Sequence, residues 1–148
     1  MPNNSLNFNL SEPKIAVTSS SFGKSNTLRE ELKKSFQNCF FNELGRPLTE
    51  LEMVEFIKDA DAVVVGTEIM TENVLNHAPR LKIISKYGVG LDNIDKKLLE
   101  KRGILFGWTG GVNRRSVAEL TLCFMRCRLC LASPWRRILA ARAWVYRT

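Results

Sequence analysis

Three observations predict an α/β fold: a flavodoxin-like, five-stranded parallel sheet with helices on both faces. Short apolar runs alternate with helical periods between residues 14 and 125. The links between them are short, as in strand-helix-strand units. One run, residues 61–66, carries three consecutive valines and so fits a parallel strand shielded by helices. At 148 residues, 45% hydrophobic and 25% charged, the chain is long enough to build one domain around its own core.

A polar leader, residues 1–12, ends at Pro13, and residues 14–18 form the first strand. Residues 25–37 read as a helix because Leu28, Leu32 and Phe36 recur at i, i+4 and i+8. Residues 39–41 give a second short strand. Thr49-Glu50-Leu51-Glu52 has the form of a capping box, in which hydroxyl and carboxylate satisfy amides left over at a helix start. It opens a helix through Lys58, with Leu51, Val54 and either Phe56 or Ile57 turned inward. Residues 61–66 are expected to be a strand buried on both faces. Thr71 caps a short helix that ends before Pro79. Residues 81–85 are the fourth strand, residues 95–102 a helix stopped by Gly103, and residues 104–106 the fifth strand. Ser116-Val117-Ala118-Glu119 reads as a second capping box, starting a helix through Met125.

The net charge of +7 does not point to nucleic acid, because it is unevenly placed. Residues 1–125 hold all 15 acidic residues and 16 of the 22 basic ones, for a balance of +1; the other 6 are arginines after Met125. No apolar run reaches the roughly 18 residues that span a bilayer, and the N-terminus does not read as a secretory signal. No membrane partner is expected, and the expected location is cytoplasmic. Cys39, Cys123, Cys127 and Cys130 read as free thiols. Cys127-x-x-Cys130 lacks the second pair that a zinc site needs, so no metal is expected.

Ligands of such sheets bind beyond the carboxyl ends of the strands, which selects loops 19–26, 67–70, 86–91 and 107–113. Tyr87-Gly88-Val89-Gly90 directly follows a strand. Its glycines permit close approach, and its exposed backbone N–H groups can hold a carboxylate. By spacing alone the favoured reading of the same run is a tight strand-to-helix turn. Asp95 suits a helix cap, and nothing sets Asp92 and Asp95 apart as an acid-base pair. Asn113 stands just ahead of a helix, where its amide can donate and accept, or simply help start the helix. Ser116 reads as a cap and His77 as a helix-end residue. Residues 18–25 end in Gly-Lys-Ser, but Thr18 stands where a phosphate loop requires glycine.

Two motifs carry a family resemblance: Lys86-Tyr87-Gly88-Val89-Gly90-Leu91-Asp92-Asn93-Ile94-Asp95 and Val112-Asn113-Arg114-Arg115-Ser116-Val117-Ala118-Glu119-Leu120. In this order, with a strand-helix-strand spacing between them, they resemble the substrate-side (catalytic) domain of the D-isomer-specific 2-hydroxyacid dehydrogenases, most nearly its phosphoglycerate dehydrogenase branch. The resemblance covers residues 14–125 and implies a small 2-hydroxy or 2-oxo acid as substrate, NAD as cofactor and a homodimer in the full-length enzymes. It implies that backbone amides of Val89 and Gly90 hold the substrate carboxylate, that Val89 also touches the nicotinamide side of the cofactor, and that Asn113 lines the substrate site. The family's Gly-x-Gly-x-x-Gly loop and its catalytic arginine, glutamate and histidine have no counterparts here, and neither His77 nor Arg114 replaces them. No catalytic residue is therefore assigned. Gly110 stands where the family usually has proline, and residues 67–70 carry no arginine to receive a phosphate.

These readings divide the chain into leader 1–12, substrate-side domain 13–125 and basic tail 126–148. The tail has neither lysine nor acid and reads as out-of-frame or truncated sequence. Alternatively, Ser133 and Pro134 start a basic amphipathic helix for an anionic surface. The expected function is thus the substrate-binding portion of an NAD-dependent dehydrogenase, inactive alone. The alternatives are a stand-alone carboxylate-binding module and an interaction protein acting through its tail.

Overall fold

A computed structural model of the chain describes residues 12–132, the stretch 126–132 by its backbone alone. The tail helix from Ser133 therefore lies outside the described residues. The chain forms two compact units, Met1–Gly110 and Gly111–Thr148.

The first unit alternates strands and helices: β1 (Ile15–Val17), α1 (Ser20–Gly23), α2 (Asn26–Ser35), β2 (Cys39–Phe41), α3 (Glu50–Ile57), β3 (Ala62–Val65), α4 (Glu72–Asn76), β4 (Ile83–Lys86), α5 (Lys96–Lys101) and β5 (Leu105–Gly107). The five strands are parallel in the order β2-β1-β3-β4-β5, the predicted flavodoxin-like arrangement. Register explains the core. Ala16 lies opposite Phe40 and Val63, Val63 opposite Ile84, and Ile84 opposite Phe106, so these side chains share one face. Met53 and Ile57 of α3, Val74 and Leu75 of α4 and Leu99 of α5 complete the same cluster.

The other face is only partly covered. Ile15, Ala62, Val64, Ile83 and Ser85 line a groove of about 560 Å³ with Leu32 of α2 and Phe36 just after it. No residue of α2 is buried. This corrects the expectation that residues 61–66 are buried on both faces: Val63 and Val65 are buried, Ala62 and Val64 half-buried.

The capping box at Thr49 forms as predicted, and Arg46 and Thr49 hold the Glu52 carboxyl down to about 2. That cap sets the phase of α3 and overturns one assignment. Met53 and Ile57 face the sheet, whereas Leu51, two positions or about 200° from Met53, is 81% exposed. Residues 19–26 are not all loop, because Ser19 caps the single turn of α1 and Ser25 caps α2. Asp95 caps α5 and Gly103 (φ +67°) ends it.

The second unit contains α6 (Arg114–Ala132). It starts two residues before Ser116, so Ser116 is no cap, and it passes Met125 without a break. Glu119 pairs with Arg115 (Nε to Oε1, 2.8 Å) one turn earlier instead of reaching back to a helix start.

One ion pair, between the buried Asp61 and the exposed Arg80, stabilises the entry to β3. Asp61 accepts from the Lys14 N–H (2.9 Å) and from Arg80 Nε (3.2 Å) and Nη2 (3.0 Å). Burial works against its charge, but the Lys14 N–H and Arg80 outweigh it, and its carboxyl titrates below the ordinary value. A depressed folded value means that this stabilisation is present above the unfolded value of about 3.9 and is lost as pH falls through the folded one. Asp61→Asn should therefore cost about 1–3 kcal/mol at pH 7 and flatten the acid limb of stability below about pH 4. Urea unfolding of both chains across pH checks this; equal slopes in acid would contradict it.

Candidate functional site

The carboxyl ends of β1, β3 and β4 lie together at one edge of the sheet, where the loops selected from sequence begin. β4 pairing extends one residue past the strand, with Tyr87 N–H donating to Val65 O at 2.8 Å. The chain then turns at Gly88, whose φ of +115° disfavours any residue with a side chain. Val89 is half-buried and Gly90 exposed. Among the described residues, the N–H groups of both meet no internal acceptor.

Trp108, just after β5, orients this turn. Its indole Nε1–H donates to Val89 O at 3.2 Å, and the Lys96 ammonium lies 5.1 Å from its ring centroid. Because the peptide is planar and trans, the Gly90 N–H points opposite to the Val89 carbonyl. Anchoring that carbonyl on Trp108 thus turns the Gly90 N–H away from Trp108. Tyr87 packs edge-on against Phe22 of α1 (5.3 Å between centroids), which fixes the other side of the turn.

Beneath the turn lies a polar network around Gly66. The buried Glu68 Oε2 accepts from Gly66 N–H (2.9 Å) and Thr18 Oγ1 (3.1 Å), joining the ends of β1 and β3. Asn93 Nδ2 donates to Gly66 O (3.1 Å) and Glu68 O (2.5 Å), tying the far end of the 86–93 segment to the same loop. Lys86 Nζ also donates to Gly66 O. Burial pulls the Lys86 ammonium below its ordinary value, against the raising effects of Glu68 and Asp92. Gly66 must be glycine, since a Cβ there would stand 2.8 Å from Ser19 Oγ.

Val89 and Gly90 therefore share one anchored turn of the first unit. Asn113 belongs to the second unit, directly before α6, where its carbonyl accepts from Val117 N–H at 3.0 Å. His77 closes α4, whose end leads into the start of β4, the edge opposite the turn; its Nδ1 lies 2.9 Å from Asn73 O. Cys39 and Cys123 carry free thiols, and the side chains of Cys127 and Cys130 lie outside the described residues. Among the described residues no three His, Cys, Asp or Glu side chains cluster as metal ligands, and no helix is long and apolar enough to cross a membrane. Sequence reasoning missed Trp108, Glu68 and Asn93 as parts of the site. A large aromatic just past a strand end was the one available signal; the burial of Glu68 leaves none.

The donors at this edge, two adjacent backbone amides with the Gly90 N–H oriented by the anchored Val89 carbonyl, suit a carboxylate. They do not suit a dinucleotide, because Gly88-Val89-Gly90 runs on into Leu91-Asp92-Asn93 where a pyrophosphate cradle needs a third glycine.

Residues 15–145 match the profile of a family described as D-isomer specific 2-hydroxyacid dehydrogenase, catalytic domain. A D-3-phosphoglycerate dehydrogenase of Methanocaldococcus jannaschii is 39% identical over 100 residues, 66% of this chain and 19% of that protein. A glyoxylate reductase of Thermococcus litoralis is 38% identical over 94 residues, 63% of this chain and 27% of that protein. Among solved structures, an NAD+-bound 3-phosphoglycerate dehydrogenase of Entamoeba histolytica shares the fold with a TM-score of 0.66 and 27% identity, over 78% of this chain and 38% of that one. The chain spans less than half the length of each of these proteins.

Proposed function

Since the chain belongs to the D-isomer specific 2-hydroxyacid dehydrogenase family through its catalytic domain, we infer that it is the substrate-side portion of an NAD-dependent dehydrogenase and binds a small 2-hydroxy or 2-oxo acid. The observation that carries this reading is the pair of amides at Val89 and Gly90, which meet no acceptor among the described residues, the second of them oriented by the Trp108 bond to Val89 O. A carboxylate takes hydrogen bonds from both amides, and charge assistance makes each worth about 1.5–3 kcal/mol. By the family resemblance, Val89 also faces the nicotinamide side of the cofactor. NAD supplies the hydride acceptor chemistry when bound, but the residues of this chain bind and orient the acid rather than hold the dinucleotide. Nor do they include the arginine, glutamate and histidine that the family resemblance calls for in the reaction.

Two measurements test this reading. Calorimetric titration of the 148-residue chain with glyoxylate should give saturable binding. The same chain mixed with NADH and glyoxylate should oxidise no NADH above the uncatalysed rate. Absence of binding would refute the carboxylate site, and steady turnover would refute the assignment of the chemistry to residues outside this chain.

A further inference from the structure

The Trp108 indole steadies the Val89–Gly90 turn through one bond, so whatever places the indole also places the Gly90 amide. Its Nε1–H reaches Val89 O at 3.2 Å, the long end of the ordinary range, and even a small shift weakens it. Trp108 is 40% exposed, so close packing does not lock the ring. The Lys96 ammonium, 5.1 Å from the ring centroid, favours the face it covers but does not fix the ring's position. The sharper constraint comes from Gly110. A Cβ built there would stand 2.6 Å from Trp108 Cη2, 3.0 Å from Cζ2 and 3.2 Å from Cζ3.

The backbone does not ask for glycine at this position. Gly88 and Gly111 have positive φ, +115° and +72°, but Gly110 does not, so an alanine backbone fits. The three atoms nearest the added carbon all belong to Trp108, so the indole alone objects to a side chain. The indole is a rigid plate, and Cζ2 is two bonds from Nε1. Pushing the outer ring aside therefore carries the donor off Val89 O. Proline has a Cβ in the same place, so this pose of Trp108 also excludes the residue that the resembled family usually carries here. The glycine is matched to the tryptophan two residues before it, and the pair acts on the turn as a unit.

We propose that Gly110 is a positioning residue for the carboxylate site: it touches no substrate, but it leaves the space in which the Trp108 indole reaches Val89 O and aims the Gly90 N–H. Without that bond the turn must be ordered when the acid binds, which costs affinity. The proposal rests on the carboxylate-site reading above, and the test separates the two. Glyoxylate titrations and 1H–15N spectra are compared for the full chain carrying Gly110→Ala, Trp108→Phe or both. Phenylalanine lacks the Nε1 donor and the outer ring atoms that crowd residue 110. Gly110→Ala should weaken glyoxylate binding at least about threefold at unchanged thermal stability. In the free chain it should also move the Trp108 Nε1–H resonance upfield and shift the Gly90 N–H. Adding Gly110→Ala to Trp108→Phe should cost no further affinity, because both changes break the same bond. If Gly110→Ala folds only in the Trp108→Phe background, that equality of affinities is the deciding result. An unmoved indole resonance or an unchanged affinity in folded Gly110→Ala, a further loss on top of Trp108→Phe, or failure of Gly110→Ala to fold in both backgrounds would each overturn the proposal while leaving the carboxylate site standing. Failure of the natural chain to bind glyoxylate would overturn both.

Discussion

Ile84→Ala should lower the unfolding free energy by about 2–5 kcal/mol, enough to remove much of the stability of a small domain. Ile84 is completely buried in β4, between β3 and β5, and faces Val63 and Phe106 across the ladder. Truncating it loses transfer free energy and opens a cavity that two flanking strands cannot close. Because β4 runs directly into the Gly88 turn, the same variant should also loosen the candidate site. Leu51→Ala is the matching control. Leu51 is the more obvious apolar residue in sequence, but it is 81% exposed, so its removal should change stability by less than about 0.5 kcal/mol. Urea unfolding of both variants checks the pair; comparable losses would mean that α3 packs in the phase first expected from its sequence.

Gly90→Ala should leave the fold intact and cut 2-oxo acid affinity by about tenfold or more. A Cβ at Gly90 meets only Asp92 Oδ2, at 3.7 Å, which is ordinary contact, and φ there is not in the left-handed region. Such a substitution is neutral or slightly stabilising, since alanine restricts the unfolded chain more than glycine does. The added methyl group, however, stands beside the amide that would receive the carboxylate. Gly88→Ala is the converse case. Its φ of +115° makes a side chain costly, by about 1–2 kcal/mol, so stability falls whether or not a ligand binds there. If the run were only a strand-to-helix turn, Gly90→Ala would be silent in every assay. Titration with glyoxylate alongside thermal unfolding separates the two meanings.

Much of the fold was legible because its signals are local. Thr49, Thr71 and Asp95 cap helices where their spacing predicts, and Gly103 ends α5. The apolar runs found their strands within a residue or two, and their alternation with helices implied the parallel order. The errors arose where a local pattern competed with something non-local. Leu51 satisfies a helical period, but the sheet selects Met53 and Ile57. Ser116 and Glu119 have capping-box spacing, but α6 begins earlier, at Arg114. The valine run of β3 reads as fully enclosed, yet α2 shields its second face only in part. The site divides in the same way. The glycine-rich turn at residues 87–90 is visible in one dimension. The bond from Trp108 to Val89 O joins residues 19 positions apart, and that from Thr18 to Glu68 joins residues 50 apart, so neither leaves a spacing to read.

The most direct test of the carboxylate site is a 1H–15N NMR titration of the full chain with glyoxylate, followed at the backbone amides of Val89 and Gly90. Hydrogen bonding to a carboxylate should move both resonances downfield, saturably and along one binding curve, with the Trp108 indole Nε1–H responding on the same curve. Glyoxylate binding that leaves these amides unmoved, or no binding at all, would contradict the account.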